Sequence, residues 1–386
     1  KRSYGEVQTW QSSISGGVGY YANIRSTIDS EQRSKAIIVL SSKALVANQA
    51  ALTDLLFETF DEVRFDEVQR LREIMDQISA RRESSITGQG HVLAMALASS
   101  GMSPTAQLNH RFTGLAGINS LRALSKAIKS DEQAKALLAK FQAIHSKLKQ
   151  APKRVLLVAE EAAQKSITET LAQRWSKASA PSDGFQGLLL PERREQVRQI
   201  WTTNTQVNFC AKAYPTVPSS HPDHAALSVL GGFLRNGFLH RTIREQGGAY
   251  GGGADQDGNS ASFRFYSYRD PRLVETLKDY DRAIEWVLSG THDERLVEEA
   301  ILGVISSMDK SSSPAGEAKQ AFYNELFGRT LEHRLHYRKQ VLGTQMADLQ
   351  RVAARYLLPE NASIGLISNT SKLDQVKDLH LEIHNV

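Results

Sequence analysis

The sequence predicts an α+β fold of two duplicated domains, each a mostly antiparallel sheet with helices packed on one face. Length is the first observation behind this, since 386 residues can give each of two domains its own core. The second is the mixture of periods: alternating β-branched runs lie beside long stretches with apolar residues three and four apart. The third is an internal repeat. Asp66-Glu67 opens a helical pattern in the first half, as Asp293-Glu294 does in the second. At the same offset Ala36-Ile-Ile-Val-Leu-Ser-Ser meets Phe263-Arg-Phe-Tyr-Ser-Tyr-Arg, and Arg82-Glu-Ser-Ser meets Asp309-Lys-Ser-Ser. A four-residue slip then sets Gly16-Gly17-Val18 against Gly247-Gly248-Ala249.

Taken in order, residues 6–24 read as strands broken at Gly16-Gly17, and Ala36–Leu40 as a further strand. Leu52, Leu55, Leu56, Phe60 and Val63 share one helical face, and a second helix carries Val68, Leu71, Ile74, Met75 and Ile78. Further helices fall at 90–99, 118–128 and 132–149. Arg154-Val-Leu-Leu-Val-Ala159 reads as a short buried strand before a helix over 160–175. Residues 176–184 have linker composition, so domains are expected over 1–175 and 185–386. The second domain should hold strands near 185–190 and 199–213, an amphipathic helix over 224–242 and a strand over 260–268. Helices near 271–289, 293–309, 315–327, 330–340 and 346–357 follow, then a strand over 362–368. The second copy carries a strand pair and a helix ahead of its Gly-Gly that the first copy lacks. The first domain is therefore expected to be truncated at its start, with an exposed sheet edge.

Composition narrows the function. Hydrophobic residues at 41% and charged residues at 23% describe a soluble globular protein. No apolar run approaches the about 20 residues that span a bilayer, so no membrane partner is expected. Lys1-Arg-Ser-Tyr-Gly-Glu6 has neither the apolar core of a signal peptide nor an initiating methionine. A piece of a longer polypeptide is expected, with the compartment open between cytoplasm and organellar matrix. The single cysteine, Cys210, excludes an internal disulfide and sits in an alternating run as a buried strand thiol. The net charge of +5 is scattered among 42 acidic residues, so no nucleic-acid partner is expected.

Against this background one stretch stands out: Arg244-Glu-Gln-Gly-Gly-Ala-Tyr-Gly-Gly-Gly253. Its glycines bring backbone close to something, or need backbone angles that other residues resist. Phosphate loops follow a strand and open a helix; here the order is helix, glycines, strand, and no Gly-Lys-Ser follows. Arg244 and Tyr250 are donors suited to a carbonyl oxygen or a carboxylate. In the repeat, Arg244 aligns with Ser13 and Tyr250 with Gly19, so the glycines recur and the side chains do not. The competing reading is structural, with Arg244 favouring the helix end and Tyr250 packing under the turn.

Three flanking segments fall in order with this stretch: Pro222-Asp-His-Ala-Ala-Leu, Phe238-Leu-His-Arg-Thr-Ile-Arg-Glu and Tyr266-Ser-Tyr-Arg-Asp-Pro271. Together they resemble the pitrilysin-type zinc peptidases of family M16 and, within it, the presequence-protease-like subfamily (subfamily C). The resemblance is dense over about 205–290 and colinear elsewhere. It implies the M16 (LuxS-MPP-like) fold and a clamshell of two halves, the N-terminal one carrying the zinc motif His-x-x-Glu-His. The repeat fits the C-terminal half, which would supply an Arg/Tyr pair to the bound peptide. Carried over, Arg244 and Tyr250 are catalytic, and Gly247, Gly248, Ala249 and Gly251 contact the substrate. The implied partners are an unfolded peptide and the N-terminal M16 half, in the same polypeptide or a partner chain. The implied cofactor is zinc, bound outside this chain. A non-catalytic M16-like scaffold or peptide-binding subunit is the alternative.

The departure from the family is that this chain has no His-x-x-Glu-His. His221-Pro-Asp-His224 lacks the glutamate base, and Pro222-Asp223 reads as a helix start with Asp223 as its cap, so no metal site is expected here. His333, His336, His380 and His384 read as solvated pairs. Tyr266, Tyr268 and Arg269 fit either a peptide-binding face or ordinary sheet packing. The +5 charge gives this half no electrostatic attraction for basic targeting peptides.

Overall fold

The computed structural model describes residues 2–176, 178 and 184–386, so most of the expected linker lies outside the described residues. The first half runs α1 (Tyr4–Ile14), β1 (Val18–Thr27), β2 (Ser30–Ser42), α2 (Gln49–Asp61), α3 (Val68–Gly88) and α4 (Gly90–Ala98). It continues with α5 (Pro104–Phe112), α6 (Leu115–Ala127), α7 (Asp131–Lys149) and α8 (Glu161–Trp175). The second half opens with β3 (Arg198–Thr202), β4 (Phe209–Pro215) and α9 (Asp223–Leu234), then a π-wound segment (Arg235–Gln246). The hairpin β5 (Gly251–Asp257) and β6 (Ser262–Tyr268) follows, then α10 (Val274–Leu288) and α11 (Glu294–Met308). The chain closes with α12 (Pro314–Leu326), α13 (Leu331–Leu342), α14 (Met346–Tyr356), β7 (Ser363–Ser368) and β8 (Glu382–Asn385).

The fold is α+β. Among the described residues, β1 and β2 form a two-stranded antiparallel hairpin, and the other six strands form a sheet in the order β5-β6-β4-β7-β3-β8. The pairs β5–β6, β4–β6 and β4–β7 are antiparallel, while β3 runs parallel to both β7 and β8. The succession β1-β2-α2-α3 recurs as β5-β6-α10-α11, the same order that the repeated motifs follow.

Both faces of the larger sheet are covered. Along β4, Cys210 and Tyr214 enter a core with Leu227, Phe233, Phe263, Phe265, Tyr280 and Leu349, from α9, β6, α10 and α14. The alternate residues Phe209, Ala211 and Ala213 face the opposite way and pack with Leu93, Ala94, Leu97 and Ala98 of α4. A helix of the first half thus closes the second half's sheet. Fully burying a leucine or phenylalanine contributes about 1.5–3 kcal/mol, so this seam is a major part of the molecule's stability. It demands close approach: a Cβ on Gly365 of β7 would lie 2.6 Å from the Ala94 carbonyl and 2.8 Å from the Ala98 amide.

Several segments differ from expectation. Val7–Ile14, expected as strand, is helical because Ser3 and Glu6 form a capping box that nucleates α1. Residues 154–159 and 185–190 join no sheet; Val155 and Leu189 are exposed, and among the described residues no strand lies alongside to satisfy their backbone. Asp223 occupies the first turn of α9 and does not cap it. Its buried carboxylate accepts from Tyr356 Oη at 2.7 Å and Arg351 Nη1 at 2.6 Å, tying α9 to α14. Among the described residues, no helix is long and apolar enough to cross a membrane.

Two outcomes follow from this packing. Leu97→Ala, which empties a fully buried position at the seam, should cost about 2–5 kcal/mol in urea unfolding. Burial beside Trp201 pushes the His110 imidazole down from 6.5 to about 4. The unfolded chain therefore binds a proton that the folded chain refuses, and stability should fall as pH drops from 6.5 to 4. His110→Gln should remove part of that slope, with His224, which burial likewise pushes down to about 4, keeping the rest; urea midpoints against pH read the difference.

Candidate active site

The glycine stretch lies where the π-wound segment hands over to the edge strand β5. The helix stays α-helical to Leu234 and then widens, as helices often do at functional sites. Gly247 N–H closes its end on the Arg244 carbonyl, and two longer bonds follow: Gly248 N–H donates to the same carbonyl and Ala249 N–H to the Ile243 carbonyl, both at 3.1 Å. These resemble the bonds of a Schellman cap but span one residue more, as wider winding requires. Gly248 adopts φ +77°, the left-handed conformation such a cap needs.

Beneath the turn lies Arg272, which the sequence does not single out. Its guanidinium occupies the space a side chain at position 247 would take, and donates to the Thr242 carbonyl at 3.4 Å. It pairs with Asp279 at 3.0 Å, a carboxylate that also pairs with Arg282 at 2.9 Å. The fully buried Asp270 accepts from the Arg272 amide at 2.9 Å and from Thr276 Oγ1 at 2.8 Å, and burial pushes its carboxyl up. Such a network is costly to bury and costlier to break, so it fixes the turn's floor.

The two side chains that frame the turn both reach solvent. Arg244, in the last turn of the π-wound segment, is exposed, with the His240 ring at 3.5 Å and no carboxylate in ion-pair range among the described residues. Tyr250 is 68% exposed. Its amide donates to the Tyr268 carbonyl at 3.0 Å, and its ring stands edge-on to Tyr268, with centroids 5.4 Å apart at 89°. Tyr268 is braced from the first half, by His91 of α4 at 4.7 Å and by its own hydroxyl donating to the Gly88 carbonyl at 3.4 Å. Of the four backbone positions, Gly247 and Ala249 are buried, while Gly248 is exposed and Gly251 has open space where a Cβ would be.

The histidine pair at the start of α9 does not suit zinc. His221 Nδ1 accepts from the Asp223 amide at 3.0 Å, and the His224 ring packs on Tyr337 at 5.5 Å. Among the described residues, no three His, Cys, Asp or Glu side chains gather as a metal site.

Two family models match this chain. One, for the region associated with M16 peptidases of subfamily C, covers residues 1–124, and the other, "PreP C-terminal domain", covers residues 198–360. The chain belongs to the M16 peptidase family, in its subfamily C. "Presequence protease, mitochondrial" of Danio rerio is 29% identical over 340 residues, spanning 83% of this M16 chain and 33% of that protein. The Yarrowia lipolytica protein of the same name is 29% identical, with 91% and 35% covered. The chain thus spans about a third of the curated relatives it matches. Among solved structures, the peptidase M16 inactive domain of Pseudomonas fluorescens superposes with TM-score 0.64 at 16% identity, covering 96% of this chain and 84% of that one. Pitrilysin superposes with TM-score 0.57 at 14% identity, covering 91% of this chain and 36% of that one. These structural likenesses concern the fold.

The floor of the turn can be tested by a pair of substitutions. In Gly247→Ala, the new methyl would collide with Arg272 and lie 2.6 Å from the Ile243 carbonyl. Overpacking of this kind should cost about 1–3 kcal/mol in urea unfolding, whereas Gly251→Ala, with open space there, should not.

Proposed function

We propose that this chain is the C-terminal half of a presequence-protease-like zinc metalloendopeptidase that degrades unstructured peptides. The observation that carries the reading is the exposed pair Arg244 and Tyr250, held on one rigid turn with no carboxylate partner for the arginine among the described residues. Zinc, in the N-terminal half that this chain would complete, supplies the hydrolytic chemistry; the residues of this chain bind and orient. Arg244 offers a permanently charged planar fork and Tyr250 a phenolic O–H, both suited to a peptide carbonyl oxygen as it gains negative charge. The floor built by Arg272 keeps the turn from rearranging as charge develops, which is what makes such donors effective. Backbone contact with the peptide falls to Gly248 and Gly251, the two of the four positions with surface to offer. The mitochondrial names of the relatives support an organellar matrix as the compartment.

The test uses the full polypeptide that joins this chain to its N-terminal half. Arg244→Ala and Tyr250→Phe should each lower kcat on an unstructured peptide by about 100- to 1000-fold, with unfolding midpoints unchanged. Wild-type turnover in both variants would remove the pair from the reaction. A full polypeptide that binds peptide without cleaving it would leave the non-catalytic scaffold.

A further inference from the structure

Where β6 ends, its ladder with β4 slips. Ala211 is paired with Tyr266, yet three residues back along the chain Asn208 meets Asp270, four residues on from Tyr266. Arg269 steps out of the ladder with φ +50°, and Asp270 returns to order by exchanging two backbone bonds with Asn208, at 2.7 and 2.9 Å. A single residue is thus bulged out beside the candidate site, an arrangement that re-aims side chains. Left-handed backbone strains arginine and suits glycine, and residues held so against their preference cluster at functional sites.

Among the described residues, the Arg269 side chain has a cation–π approach to the Tyr268 ring and no ion pair. It is exposed, and its guanidinium lies 5.5 Å from the Tyr268 ring centroid, on the same ring that Tyr250 contacts. Neighbouring arginines are committed, Arg264 to Asp255 and Asp257 and Arg272 to Asp279. No carboxylate lies in ion-pair range of Arg269 among the described residues.

We infer that Arg269 is a specificity-determining side chain that receives a carboxylate of the peptide, from an acidic residue or from its C-terminus, beside the carbonyl held by Arg244 and Tyr250. The inference rests on the reading of that pair as a peptide site. A guanidinium meets a carboxylate through two parallel N–H bonds, a geometry that lysine does not reproduce.

The experiment compares Arg269→Gly, Arg269→Lys and wild type in the full polypeptide. The substrates are fluorogenic unstructured peptides in matched pairs: glutamate against glutamine at positions flanking the scissile bond, and free C-terminal acid against amide. Arg269→Gly should unfold no earlier than wild type, since glycine relieves the backbone. It should nevertheless lose about 10-fold or more in kcat/KM on the carboxylate member of one pair, with the neutral member unchanged. Arg269→Lys should fall between. A response in the glutamate pair assigns a side chain, and one in the acid–amide pair assigns the C-terminus. An unchanged ratio in both pairs, or an equal loss on all peptides with an earlier unfolding midpoint, overturns the inference. If Arg244→Ala and Tyr250→Phe still slow every peptide alike, only Arg269 has failed; if they too are silent, the underlying site reading has failed.

Discussion

The packing of α4 against the middle of the six-stranded sheet is the contact on which the rest depends. The central strand β4 is buried on both faces, with Lys212 paired to Asp281 amid otherwise apolar residues, so one covering layer cannot shield it, and the second layer comes from the other half of the chain. Gly365 sets how closely helix and sheet meet, because any side chain there would push α4 away. The same helix presents His91 to Tyr268, the ring that supports Tyr250. Dry packing in the seam and the orientation of an exposed tyrosine are therefore parts of one arrangement.

A second constraint works from below. The charges of Arg272, Asp279 and Asp270 lie where most proteins place leucine or valine, and leaving any one of them alone would be far worse than omitting all three. A buried polar set of this kind adds little net stability but tolerates few geometries. That suits the proposed role of the turn, in which two donors are held in place beside a peptide whose charge changes. Gly247, above Arg272, serves the network: any side chain there would displace the guanidinium.

Much of the fold is legible in the sequence, because it follows local rules. The helices of the second half show their apolar faces at spacings of three and four, and the repeated order of hairpin and two helices appears in matching motifs. Helix α1 reads as strand because Val-Gln-Thr-Trp alternates, although Ser3 and Glu6 hold the capping signal. The runs at 154–159 and 185–190 have strand composition, but a strand also needs a neighbour, and the described residues offer them none. β5 escapes the sequence for the opposite reason: glycines have poor strand propensity, and its ladder with β6 makes it a strand. At the site, Arg244 and Tyr250 stand out through their glycine setting. Arg272 and His91 do not, because their roles depend on contacts across long stretches of chain.

The widened winding between Arg235 and Gln246 has a geometric consequence. In an α-helix each residue turns the chain by about 100°, so one residue gained or lost rotates everything beyond it by that amount. A π-wound segment is a place where such a residue can be stored without breaking the helix. Deleting one residue there would let the segment relax toward ordinary α-helix while swinging Arg244 off its present bearing, and Leu239 and Ile243 of the same segment would have to reseat in the core. The aim of Arg244 is thus set by the length of this segment, to within a single residue.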